Sequence, residues 1–245
     1  MLYTLMEEVN QWMDAVGLSH VVFVGNSLGG AIGWLMALEH PDKVSRLVLV
    51  DAAGYPMKKP FPLNMARVPL SGPVIKLLFS RTLVKWTLQR VYYHDDWVTD
   101  AQVNAYFDRL RTGEGLDAQL AVARALDTNQ FEAYIARIPS IEKETLLLWG
   151  ENDEWIPADE VGRRFENELP HARLKVIPAC GHIPQEEYPQ QTAQLIMDFI
   201  QSDLCSLFKP GLTQKRSGPF GPRLHPIPEQ NDRRRPPHTV PGNRG

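Results

Sequence analysis

Apolar residues in the first sixteen positions recur at helical spacing. Leu2, Leu5, Met6, Val9, Trp12, Met13 and Val16 fall on one side, with Glu7, Glu8, Asn10 and Asp14 opposite. This period predicts an amphipathic helix over 2–16, with Gly17 placed to stop it. Then the pattern changes. Val21-Val22-Phe23-Val24 is a short β-branched and aromatic run, the signature of a buried strand. At Gly25 it gives way to a helical pattern from about Leu28 to Glu39, carrying Ala31, Ile32, Trp34, Leu35 and Leu38, which Pro41 closes. Ser45–Asp51 reads as a second strand. Strand, helix and strand within about 30 residues make a βαβ unit, hence parallel strands and a right-handed crossover.

From Gly54 to about Pro139 strand signals vanish. A connection rich in proline (Pro56, Pro60, Pro62, Pro69, Pro73) leads into helical segments near Val74–Leu78, Thr82–Val91, Asp100–Thr112 and Leu116–Asp127. Such a block between parallel strands predicts a lid whose apolar side chains line a pocket. Most of its aromatics (Trp86, Tyr92, Tyr93, Trp97, Tyr106, Phe107) are expected to form the lid's own core. Strands return at Thr145–Trp149 and Arg173–Ile177, joined by a helix around Ala158–Glu168. A last amphipathic helix covers Gln190–Gln201. Beyond about Leu207, proline and arginine dominate without apolar periodicity, which predicts a disordered, solvated tail.

Composition narrows the classes. The hydrophobic content of 43% over 245 residues suffices for a sizeable core, and a net charge of −3 offers no basic field for nucleic acid or an anionic membrane. No stretch approaches the roughly 20 apolar residues of a membrane span. Glu7 and Glu8 stand where a signal peptide would be basic and then apolar, so a cytoplasmic location is expected. Cys180 and Cys205 are too few and too far apart for a disulfide framework or a metal site.

Chemistry enters at the first strand–helix junction. Gly25-Asn26-Ser27-Leu28-Gly29 is the nucleophile-elbow pattern in its strand–turn–helix context. Glycines two residues either side of Ser27 are expected to remove Cβ atoms that would collide in so sharp a turn. The Leu28 N–H would then face a developing oxyanion. A serine nucleophile needs a base, and the base an orienting acid. His182, in Cys180-Gly181-His182, follows a strand and so lies at the same sheet edge as the elbow. His20, His40, His171, His225 and His238 are misplaced, while His94 in the helical block stays open. For the acid, Asp153 follows the strand ending at Trp149. Asp51 also closes a strand at that edge and is the rival. Asp153 is preferred because it completes the chain order Ser, Asp, His.

These features together resemble the α/β-hydrolase superfamily. The matching stretches are Gly25-Asn26-Ser27-Leu28-Gly29-Gly30, Leu47–Asp51, Trp149-Gly150-x-x-Asp153-x-x-x-Pro157 and Gly181-His182. The resemblance implies an α/β fold with a doubly wound, mostly parallel sheet and an inserted all-helical cap. Core halves are expected at 1–53 and 140–204, the cap at 54–139 and the tail at 205–245. It implies nucleophile, acid and base at Ser27, Asp153 and His182, an oxyanion donor at Leu28, no metal or organic cofactor, and a small-molecule acyl substrate. The Gly-Asn-Ser-x-Gly-Gly and Cys-Gly-His forms are similar to hydrolases that cleave carbon–carbon bonds in ring-fission products, and carboxylesterases share much the same patterns. Serine at position 27 argues against the epoxide hydrolases and haloalkane dehalogenases, whose elbow carries aspartate.

The family also places strands before the nucleophile strand, and an early His-Gly loop that supplies a second oxyanion N–H. Neither is recognisable ahead of Val21. Val21–Val24 is therefore expected to be an exposed sheet edge, and the sequence to begin inside a longer protein. The competing expectation is a non-catalytic remnant or binding module that retains the three residues.

Overall fold

The computed structural model describes residues 2–56, 71–125 and 132–202, all within the unit Met1–Ser206. The expected tail at 205–245, with its arginine run and Cys205, lies outside the described residues, as does the proline-rich stretch 57–70.

Four parallel strands form one sheet in the order β1-β2-β3-β4: β1 (Val21–Asn26), β2 (Val44–Val50), β3 (Thr145–Gly150) and β4 (Ala172–Ile177). The two inner strands are apolar at nearly every position because both of their faces are covered. Leu47, Leu49, Leu147 and Trp149 point to one side, into a core shared with α1 (Leu2–Ala15) and α2 (Leu28–Glu39). Val48, Val50, Leu146 and Leu148 point to the other and meet Phe199, Leu195 and Ile196 of the last helix, Pro189–Gln201. Helices on both faces make the sheet doubly wound.

The larger core holds Trp34, Trp149 and Phe165, all fully buried. Each such side chain stabilises the fold by roughly 1.5–3 kcal/mol relative to exposure. The Trp34 Nε1–H donates to the Ala53 carbonyl at 2.9 Å, and the Trp149 Nε1–H to that of Ile156 at 2.8 Å. Both indoles thus satisfy their polar atom while fixing the chain just beyond β2 and β3. One element departs from expectation. The helix predicted over 158–168 is a π-helical turn at Ala158–Gly162 followed by an α-helix at Arg163–Glu168. Gly162 passes against the Trp149 ring, where an added Cβ would lie 3.0 Å from it.

Between β2 and β3 the described residues form helices and no strand, chiefly α3 (Ser71–Leu78), α4 (Arg81–Val91), α5 (Asp100–Leu110) and α6 (Gly113–Ala125). Ser80 caps α4, and Thr99 and Gln102 form a capping box on α5. This block has its own small core of Val84, Leu88, Tyr92, Val98 and Val103, joined by Ile183 and flanked by Phe79, Val91, Phe107 and Leu110. The expectation that most of its aromatics form that core is corrected. Only Tyr92 and Phe107 join it, while Trp86, Tyr93, Trp97 and Tyr106 are between 37% and 49% exposed. Aliphatic residues at helical spacing fill the interior, and the amphipathic rings stand at its surface.

Candidate active site

Everything at the site hangs on one residue between β1 and α2. Ser27 has φ 52 and ψ −114, a region that costs a non-glycine residue about 1–3 kcal/mol. Its backbone is pinned on three sides. Ser27 N–H donates to Val50 O at 2.9 Å, and Ser27 O accepts from Ala53 N–H at 3.0 Å and Ala31 N–H at 3.1 Å. Gly25 is required, because a Cβ there would run into the backbone of Gly29, and one on Gly30 would strike the Ala52 side chain. The matching expectation for Gly29 is corrected: a Cβ there has nothing within 4 Å. The turn needs Gly29's backbone close to Gly25, and a side chain on Gly29 points away. Leu28 opens α2, so its N–H has no intrahelical acceptor and sits at the positive end of the helix.

Beyond β4 the chain turns through Ala179, at φ 52, into Cys180-Gly181-His182. The His182 Nδ1 lies 2.7 Å from Asp153 Oδ2, and both residues are buried. Asp153 Oδ1 accepts from the backbone N–H groups of Trp155 (2.7 Å) and Ile156 (3.0 Å), which fixes the carboxyl plane. With Asp153 as acceptor, Nδ1 carries the proton and Nε2 is left as the basic atom. The Trp155 ring stacks on the imidazole, its centroid 5.9 Å away at 17°. Asn26, the residue before Ser27, donates from Nδ2 to His182 O and to Val50 O, each at 3.1 Å. The strand end that presents Ser27 is thereby tied to the loop that presents His182. Among the described residues the Ser27 hydroxyl makes no hydrogen bond of its own.

The helical block is fastened to this same loop. His182 N–H donates to Val91 O at 2.8 Å and Trp155 Nε1–H to Arg90 O at 3.1 Å. Glu187 is buried and accepts from Gly181 N–H at 2.7 Å through Oε1 and from Tyr93 N–H at 2.9 Å through Oε2. Gly181 is squeezed between these segments, since a Cβ on it would meet Val91 O and Tyr93 N. Glu186 receives the Tyr92 hydroxyl at 2.7 Å, and burial followed by that bond pushes the Tyr92 phenol upward. His94 takes no part with Asp153 or Ser27. It stacks on Trp97 and meets the Tyr188 hydroxyl at 3.3 Å.

Asn26 and Glu187 were assigned no role from sequence. Asn26 lay inside the motif, so its place was visible and its double hydrogen bond was not. Glu186-Glu187 reads as an ordinary acidic first turn of a helix, and nothing local marks Glu187 as buried. Cys180 is fully buried beside Glu187, and burial first, then that neighbour, pushes its thiol up, so it is neither nucleophile nor ready ligand.

Asp51, the rival acid, makes no hydrogen bond to His182. Its Oδ1 accepts from Gly150 N–H at 2.9 Å. It nevertheless sits close, for donor atoms of Asp51, Asp153 and His182 all lie within 4.8 Å of one another. Among the described residues this is the one group with metal-holding spacing. Asp153 already accepts from three N–H donors, two on Oδ1 and one on Oδ2, an arrangement that orients the imidazole and leaves one acceptor site on Oδ2.

A parallel sheet whose strand–Ser27–helix turn is tied through Asn26 to the loop bearing the His182–Asp153 pair is the architecture of an α/β hydrolase. The chain belongs to that family: the model of the alpha/beta hydrolase fold matches residues 2–189. A 2-hydroxy-6-oxononadienedioate/2-hydroxy-6-oxononatrienedioate hydrolase of Comamonas testosteroni is 30% identical over 199 residues, covering 78% of this chain and 66% of that protein. A 2-hydroxy-6-oxo-6-phenylhexa-2,4-dienoate hydrolase of Burkholderia cepacia is 29% identical with the same coverages. The chain thus spans just under two thirds of the length of these relatives. Among solved structures, a meta-cleavage product hydrolase of Pseudomonas fluorescens IP01 shares the fold with a TM-score of 0.67 at 22% identity, covering 82% of this chain and 72% of that one. A bacterial membrane phospholipase A superposes with a TM-score of 0.65 at 25% identity, over 82% and 63% of the two chains. Among the described residues no helix is long and apolar enough to cross a membrane.

Proposed function

We propose that the chain is the catalytic part of a serine hydrolase that cleaves the carbon–carbon bond of 2-hydroxy-6-oxo-dienoate ring-fission products, with ester hydrolysis as a secondary activity. The observation that carries the chemistry is the buried His182–Asp153 pair, 2.7 Å apart, tied through Asn26 to the strand end that bears Ser27. The choice of substrate class rests on the relatives' names and on the shared Gly-Asn-Ser-x-Gly-Gly and Cys-Gly-His forms.

In this reading His182 Nε2 takes the proton of the Ser27 hydroxyl as its oxygen attacks the substrate carbonyl. Asp153 holds the imidazole's tautomer and stabilises the imidazolium. The oxyanion faces Leu28 N–H. The imidazolium then protonates the leaving group: an alkoxide from an ester, or a carbanion delocalised as a dienolate from a vinylogous diketone acid. Water resolves the acyl–Ser27 intermediate to a carboxylic acid. The helical block serves as the cap over the leaving group, and specificity resides there.

The test pairs labelling with a substrate panel. A fluorophosphonate should label the wild-type chain, and Ser27→Ala should abolish labelling. Asp153→Asn should lower turnover by roughly 10⁴, as loss of the acid does in another triad. A 2-hydroxy-6-oxo-dienoate should be turned over with higher kcat/KM than p-nitrophenyl acetate. Persistent labelling of Ser27→Ala would overturn the nucleophile, and a preference for the simple ester would overturn the substrate class.

A further inference from the structure

We infer that Asp51 is a neutral carboxylic acid whose Oδ2–H proton is directed at Asp153, so that it acts as a positioning residue behind the Asp153–His182 pair. Its kinetic consequence rests on the proposed hydrolase reading, while its protonation state does not.

Asp51 is fully buried, immediately after β2, at φ 42, a left-handed conformation that aspartate tolerates better than most residues. Oδ1 is satisfied by Gly150 N–H. Oδ2 is buried and has no hydrogen-bond partner among the described residues. The acidic groups acting on this carboxyl are Asp153 first and then Glu187, with the Cys180 thiol also nearby, and the His182 imidazole, held by Asp153, lies within 4.8 Å. Asp153 brings no donor to Asp51. Both of its oxygens are acceptors already, from His182 Nδ1, Trp155 N–H and Ile156 N–H.

Two buried carboxylates side by side, one with an oxygen lacking any donor, would combine like-charge repulsion with an unsatisfied polar atom. A single proton removes both costs. Placed on Asp51 it gives Oδ2 a donor's role and leaves one negative charge beside the imidazole. Placed on Asp153 it would neutralise the carboxyl that accepts three N–H donors and weaken all three bonds. Burial, then the neighbouring Asp153, pushes the Asp51 carboxyl well above the usual carboxylate range, with the Gly150 bond pulling only partly back. Asp51 thus turns a donor toward the neighbouring Asp153 carboxylate, whose nearest oxygen lies within 4.8 Å of its own.

The experiment uses the 245-residue chain, Asp51→Asn and Asp51→Ala. Infrared difference spectra at neutral pH should show a protonated-carboxyl carbonyl stretch, sensitive to D₂O exchange, that is absent from Asp51→Asn. Stability offers a second readout with a defined sign. A folded pKa above the unfolded value of about 3.9 means the native state holds a proton that the unfolded chain releases. Wild-type stability should therefore fall relative to Asp51→Asn as pH rises from about 4 toward the folded value. In turnover, Asn can still donate and should keep kcat within about threefold. Asp51→Ala should lose roughly tenfold to a hundredfold in kcat with little change in KM, the range seen when the partner behind a ligating side chain is removed elsewhere. A neutral-pH spectrum without an Asp51-dependent acid band, or a flat stability difference, overturns the inference. So does an Asp51→Asn loss as large as that of Asp153→Asn, which would make Asp51 the ionised orienting acid. If no form turns over any substrate, the hydrolase reading fails while the infrared and stability results still decide the state of Asp51.

Discussion

At the scale of single residues, the two glycines around Ser27 look equivalent in the motif and are not equivalent in space. A methyl group on Gly25 would overlap the backbone of Gly29, where nothing flexible can yield. Gly25→Ala should therefore destabilise the fold by more than the typical ~1 kcal/mol of a point substitution and abolish labelling of Ser27. Gly29→Ala meets no atom within 4 Å and lies in the first turn of α2. It should be neutral or stabilising by up to about 1 kcal/mol, because alanine outranks glycine in a helix. Urea unfolding of both variants decides the matter, and a large loss for Gly29→Ala would show the turn to be tighter than described. The comparison also marks where sequence reading stops. The spacing of Gly25, Ser27 and Gly29 was enough to locate the elbow. Which Cβ is forbidden depends on the approach of two backbone segments, and no local pattern encodes it. Likewise Asp51 and Asp153 were both legible as strand-end carboxyls, yet only their geometry separates the imidazole's partner from the buried oxygen behind it.

Among the elements, the strands and helices of the core were legible because apolar period and burial agree. Inner strands covered on two faces must be continuous in hydrophobicity, and α1 must be striped. The helical block was legible as helices, and its attachment was not. That attachment runs through backbone groups at 90–94 and one buried carboxyl, Glu187, contributed by a helix remote in sequence. Glu187→Ala should strand the Gly181 and Tyr93 amides. A buried donor left unsatisfied costs on the order of 1–3 kcal/mol, so both amides should exchange with solvent markedly faster while the β2 and β3 amides keep their protection. Hydrogen exchange resolved by residue measures this. Unchanged protection at Tyr93 would mean the Val91, Arg90 and Tyr92–Glu186 bonds hold the block without Glu187. Because Gly181 precedes His182, the same variant should shift the pH profile of turnover, which a remote packing defect would leave in place.

For the whole molecule, the sheet's outline carries the last consequence. β1 pairs with β2 on one side, and among the described residues no strand pairs with its other side. The expectation of an apolar edge at Val21–Val24 is met there. Val24 is 47% exposed, on the same face as Val22, which packs with Val48, Val50 and Phe199 on the side of the last helix. Unpaired N–H and C=O groups beside an exposed valine form a template onto which another extended chain can add. Natural edges are blunted by charge, and lysine is the usual choice because its ammonium cannot be buried in a new sheet. β1 carries no charged residue between Val21 and Asn26. Val24→Lys should consequently reduce concentration-dependent association of the 245-residue chain, read by sedimentation velocity over a tenfold range of concentration, with little change in unfolding midpoint because the side chain is already half in water. Ser27 labelling should survive, since residue 24 faces away from the α2 side of the sheet. Association that is unchanged by the lysine would locate the contact elsewhere, with the exposed Trp12 of α1 and Val16 just beyond it the next apolar surface to substitute.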